Sequence, residues 1–172
     1  WTVVETNVTG AADQLTPVAA PLINTALNLV TTNLPGTVVY SVQSIANNCT
    51  SSIQTVTVTI NPIPTVAASG QTICSATGTS IAITNPNSVT GTTFSWVLGT
   101  SSNVNGASAG SGSTISQVLT SADGVTNGTQ QYIITPAAAG CPGPSLSITV
   151  TVRPVPVITN TATSMQTTIC SG

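Results

Sequence analysis

Four cysteines, three carboxylates and one arginine are the side chains of this 172-residue chain most able to do redox, ionic or nucleophilic chemistry; histidine and lysine are absent. Acid–base catalysis needs a group that exchanges protons near neutral pH, usually histidine or a carboxylate perturbed by a close neighbour. Glu5, Asp13 and Asp123 are scattered along the chain and offer no such pair. Zinc would want four clustered ligands, and a nucleophilic thiol wants a basic neighbour to make it a thiolate. Cys49, Cys74, Cys141 and Cys170 have neither partner, so they read as oxidised, structural cysteines of an extracytoplasmic protein. No catalytic residue, cofactor or metal site is expected, and the chain does not read as an enzyme. Calcium takes several oxygen ligands, with carboxylates supplying most of the charge. Asp123 stands alone, so Asp123-Gly124 is expected to be a turn.

Composition narrows the partners. Charged residues make up 2% of the chain, against roughly 25% in an ordinary globular protein. A nucleic-acid surface needs clustered lysine and arginine to displace counterions, and Arg153 cannot supply one. Mean hydropathy is positive, +0.39. Yet the apolar residues alternate with Thr and Ser rather than forming the ~18-residue run that a spanning helix requires. An outer-membrane barrel would also alternate, but its aromatic girdles are missing. The triplets at Asn7, Asn48 and Asn127 fit the N-glycosylation pattern, which arises readily by chance in a chain so rich in Asn and Thr.

The elements that would position these residues recur. Val56–Pro64 (VTVTINPIP) matches Ile148–Pro156 (ITVTVRPVP) at an offset of 92 residues, and Tyr40 and Cys49 find Tyr132 and Cys141 at the same offset. Trp1 corresponds to Trp96 and Thr72-Ile73-Cys74 to Thr168-Ile169-Cys170 at slightly longer spacings, with the extra residues expected in loops. Such self-similarity marks a repeat architecture. The segmentation expected is residues 1–64 as the later part of one repeat, 65–156 as a complete repeat and 157–172 as the opening strand region of a third. Trp1 already reads as strand rather than signal peptide, so the sequence reads as a piece of something longer.

The fold class expected is all-β, as tandem immunoglobulin-like β-sandwich repeats placed end to end. In the complete repeat, strands are expected near Val66–Ser69, Ser80–Thr84, Thr92–Leu98, Ser101–Ala107, Thr114–Thr120, Thr129–Thr135 and Ser145–Arg153. Ile148 and Val150 lie on the apolar face of the last strand. Phe94, Trp96 and Tyr132 are expected in the core rather than as a sugar-stacking platform, since few other large side chains exist to fill it. Tyr132 is expected near the start of the penultimate strand, as in a tyrosine corner. Proline fixes φ and cannot donate to a ladder, so Pro62, Pro64, Pro154 and Pro156 are expected to end each last strand and stiffen the hand-over to the next repeat.

These residues resemble a known family, the polycystic-kidney-disease-like (PKD-like) and immunoglobulin-like repeats of giant adhesins in gliding and biofilm-forming bacteria. The resemblance rests on the Thr-Ile-Cys opening, Phe94-Ser95-Trp96, Gly124-Val125, Tyr132–Pro136, Gly140-Cys141 and the closing Ile148–Pro156. Two departures leave the core pattern intact: Cys74-Ser75-Ala76 replaces the Cys-Ser-Gly seen at Cys170–Gly172, and Thr32-Asn33 stands opposite Gly124-Val125. The resemblance implies export, commonly by the type IX route, and service as a cell-surface stalk or extracellular filament.

Two cysteines per repeat allow two schemes. Cys74 with Cys141 inside one repeat is the first choice, although immunoglobulin strand order would place them at opposite poles. A bond across the junction between successive repeats is the alternative. For function, a structural stalk leads, with neighbouring repeats or other copies as partners and an unknown adhesive target. A fibre assembled by strand addition between copies is a second reading. A glycan- or protein-binding module using loops Gly99–Ser113 or Ser121–Gly128 is a third, weakened by the lack of aromatic and charged anchors there.

Overall fold

The structure, a computed structural model, describes residues 1–19 and 22–158. Every helix or strand among them is a strand. The first block holds β1 (Thr2–Thr6), β2 (Val8–Thr9), β3 (Asn28–Leu29), β4 (Gly36–Val42), β5 (Ile45–Ala46), β6 (Cys49–Thr50) and β7 (Gln54–Ile60). The second holds β8 (Gln71–Cys74), β9 (Thr77–Gly78), β10 (Ile81–Ala82), β11 (Thr93–Ser102), β12 (Val104–Asn105) and β13 (Gly110–Ser111). It continues with β14 (Thr114–Ile115), β15 (Val118–Ser121), β16 (Gly128–Ala138), β17 (Cys141–Pro142) and β18 (Leu146–Arg153).

One layer of the second block is a six-stranded sheet in the order β13-β11-β16-β18-β8, with β17 on the end of β16. The short pairs β12-β15-β9 and β10-β14 make up the rest. Between them lies a core of Ile73, Trp96, Tyr132, Ile134, Ile148, Val150 and Val152 from the large sheet, closed by Ile81, Ile83, Ile115 and Leu119. Strict alternation builds it. Every second residue of β16 from Gly128 to Ala138 is buried, because successive side chains of a strand point to opposite faces.

The opening of the block differs from expectation. Val66–Ser69 contributes a single bridge, Ala67 to Thr84, and the first strand is β8, which carries Thr72-Ile73-Cys74 and runs parallel to β18. Gly70 allows this approach, since a Cβ there would lie 2.3 Å from the Thr149 carbonyl oxygen. The strand expected at Thr114–Thr120 is broken into β14 and β15.

In the first block β1-β4-β7 repeats the β11-β16-β18 pairing. Thr2 faces Ser41 and Val3 faces Tyr40, as Val97 faces Ile133 and Leu98 faces Tyr132. One extra residue of the second block sits in a bulge between Leu98 and Ser101, inside a strand rather than in a loop. The third opening expected over 157–172 falls almost wholly outside the described residues, as does Cys170.

Candidate functional site: the junction and its loop hub

Among the described residues no group of three or more His, Cys, Asp or Glu side chains is placed to hold a metal ion; the residues that matter mechanically are those fixing the loops and the connection between the blocks. Asn103 has φ 54°, in the left-handed region where Asn is among the tolerated residues. Its side-chain amide donates to Asp123 Oδ1 at 2.8 Å and to the Thr126 carbonyl at 2.9 Å, and its Oδ1 accepts from the Asp123 amide at 2.9 Å. Asn7, with φ 55°, does the same in the first block. It donates to the Leu34 carbonyl at 3.0 Å and accepts from the Thr31 amide at 2.7 Å. The asparagine of the Asn7-Val8-Thr9 triplet is therefore committed to internal bonds.

Asp123 receives the Thr126 hydroxyl and the amides of Val125 and Thr126 as well as Asn103. These donors, the Thr126 hydroxyl foremost, hold its carboxyl well below the usual carboxylate range. They also show what the Asp-Gly turn is made of: the carboxylate caps its own loop.

Trp96 is buried, with its indole N–H donated to the Ser108 carbonyl at 3.2 Å. Trp1 repeats that bond to Ala12 at 3.1 Å. Phe94 is half-buried against the core, and Ile148 and Val150 lie within it. Tyr132 is fully buried as the fifth residue of β16. Its hydroxyl bonds the Gln117 side chain at 2.8 Å, across the sandwich rather than to upstream backbone, and burial pushes its pKa up.

The connection between the blocks is clamped. Pro62 and Pro64 are buried, Ile63 between them is exposed, and the Asn61 side chain donates to the Ala139 carbonyl at 3.2 Å. Asn87 accepts from the Thr65 amide at 3.0 Å and donates to the Ile63 carbonyl at 2.9 Å. Gly143 completes the seat, because a Cβ there would fall 1.9 Å from the Pro64 carbonyl oxygen. At the other end Pro154 is half-buried and Pro156 exposed.

The Cys74–Cys141 pairing is corrected. Cys49, Cys74 and Cys141 are free thiols. Cys74 faces Arg153 at the end of β18, whereas Cys141 faces Ala138 in the hairpin beyond the start of β18. The length of β18 alone, at about 3.3 Å per residue, separates them by roughly 23 Å, and a disulfide needs Cα atoms within about 7 Å.

Sequence reading missed Asn7, Asn103 and Asn87. For the first two a signal existed: Asn7-Val8-Thr9-Gly10 recurs as Asn103-Val104-Asn105-Gly106. The glycine ending each motif lies where a Cβ would strike the carbonyl of Ala26 or Val118, both within 2.3 Å. Asn87 has no counterpart in the first block and left no such trace.

A two-layer, all-β unit of this kind belongs to the β-sandwich class. The model of the PKD-like domain matches residues 71–156. That is half of the chain, and the chain belongs to the PKD-like domain family. No curated protein matches it.

Proposed function

We propose that this segment is a stalk: PKD-like repeats set end to end in a secreted bacterial surface adhesin or filament, supplying length and stiffness rather than catalysis. The observation that carries this reading is the clamped connection at Asn61–Thr65, where two buried prolines and the Asn87 side chain restrain the hand-over between blocks. Matching loop hubs on Asn7 and Asn103 support two copies of one unit. Near-neutral surfaces rich in Thr, Ser and Asn suit a passive spacer, and the scarcity of ionisable groups supports a non-enzymatic role. Extracellular placement and the type IX route follow from the adhesin reading. Loop Ser121–Gly128 spends its polar groups internally, which weighs against a glycan-binding role for it. Small-angle scattering tests the stalk: an elongated particle two domains long is expected, and a compact, folded-back one would overturn it.

A further inference from the structure

Tension carried along the chain would enter the second block at one end of its large sheet and leave at the other. The entry is at Pro64, whose carbonyl lies against Gly143 just ahead of β18. The exit is at Pro154, directly after Arg153 at the end of β18. The strand nearest the entry in the chain, β8, joins the large sheet at its edge, and among the described residues its ladder partner there is β18 alone. The two run parallel, with Gln71 facing Val150, Thr72 facing Thr151, Ile73 facing Val152 and Cys74 facing Arg153. A pull at Thr65 therefore draws β8 back toward the entry, while a pull at Pro154 draws β18 forward toward the exit. The strands are driven past each other, and the bonds between them are strained together rather than one after another. An antiparallel pair of first and last strands would instead be pulled apart from one end.

We propose that the β8–β18 pair is a shear latch, the element that sets the tension at which the second block opens. Ahead of it the chain is tied more lightly. Ala67 and Thr84 exchange two backbone bonds, both at 2.9 Å, and Asn87 holds Thr65. Once these give, the load falls on β8. There the Ser75 amide, bonded to the Arg153 carbonyl at 2.7 Å, extends the ladder at its far end. Ile73, 8% exposed, must leave the core as β8 slides, which adds lost burial to lost bonds. On its other side β18 is held by the longer ladder with β16, from Gly128–Val152 to Ile134–Leu146, so the β8 side is the one that yields. Forced opening follows the rate of unfolding rather than its equilibrium. A loss at the latch and an equal loss elsewhere in the core should therefore differ under load although they match in urea. The latch follows from the second block alone; that tension reaches it rests on the stalk reading.

The test is single-molecule pulling of the full chain with its native cysteines replaced by serine. Handles are attached through Ile63→Cys and Val155→Cys, exposed positions on either side of the block. Three variants are compared: Gly70→Ala, which disturbs the seat of β8 on the Thr149 carbonyl, Ile73→Ala, and Leu119→Ala, buried in β15 outside the ladder. Gly70→Ala and Ile73→Ala should lower the opening force by half or more. Leu119→Ala should leave it close to the parent's while destabilising the block in urea about as much as Ile73→Ala. If Gly70→Ala does not fold, Ile73→Ala against Leu119→Ala decides alone. Opening forces that fall in all variants in proportion to their losses in urea would overturn the latch, as would no change in Ile73→Ala. A compact particle in scattering would remove the stalk and leave these forces as they are, so the two readings fail separately.

Discussion

Asn103 is asked to do three things at once, and few residues can do all three. It must tolerate a φ of 54°, accept the Asp123 amide, and donate to both Asp123 and the Thr126 carbonyl. Alanine fails on every count, since it pays for a left-handed conformation and leaves several polar groups without partners. Asn103→Ala should therefore cost about 2 kcal/mol in urea unfolding, a typical loss for a bonded residue in an unusual conformation. Glycine keeps the backbone freedom and loses only the bonds, so Asn103→Gly should fall between the wild type and Asn103→Ala. Equal losses for the two variants would mean that the bonds alone matter, and no loss from either would remove the hub from the account.

At the scale of elements, the parallel strand β8 is the piece most exposed to a single change. Its entry depends on Gly70, whose missing side chain leaves room for the Thr149 carbonyl. A methyl group 2.3 Å from a backbone oxygen has no flexible neighbour to push aside. Gly70→Ala should lift β8 from β18 and expose the core face that Ile73 covers, at about 2–4 kcal/mol, within the range for losing a buried aliphatic contact. In hydrogen exchange the alternate amides of Val150–Arg153 that point toward β8 should lose protection, while those that bond β16 keep it. Uniform loss across the sheet would point to global unfolding instead.

The same strand shows where the sequence was legible. Alternation made β18 and β16 readable because their faces differ so sharply, and the aromatic residues could be put in the core because little else could fill it. Thr72-Ile73-Cys74 was recognised as a recurring motif but not as a strand. Four residues with one buried side chain give no period to count, and parallel pairing is decided by a partner far along the chain. The bulge in β11 was hidden for a related reason: one added residue shifts a repeat offset equally well from a loop or from a strand. The Asn87 clamp was illegible because its partners, Ile63 and Thr65, are backbone groups that any sequence would present.

For the whole molecule the decisive quantity is the freedom of one block against the other. Proline at 62 and 64 narrows the backbone dihedrals of the connection, yet two fixed φ angles still leave the intervening ψ angles to swing. What holds them is Asn87, bonded on both sides of Pro64 to Ile63 and Thr65. Each such bond is worth about 1 kcal/mol net, so losing both and a third from the Thr65 hydroxyl at 3.0 Å shifts a docked-to-undocked equilibrium by roughly 100-fold, since 1.4 kcal/mol is tenfold. Asn87→Ala should free the junction while leaving each block folded. Nitroxides at Thr55 and Ser147, exposed and equivalent positions on the two blocks, would report this by electron–electron distance measurement in a background where the native cysteines are serine. A narrow distribution is expected for the parent and a broad one for Asn87→Ala, with thermal unfolding little changed. If Asn87→Ala stays narrow while the paired Pro62→Gly and Pro64→Gly variant broadens, the prolines alone set the stiffness. If neither broadens, the junction is not the source of the stiffness proposed for this chain.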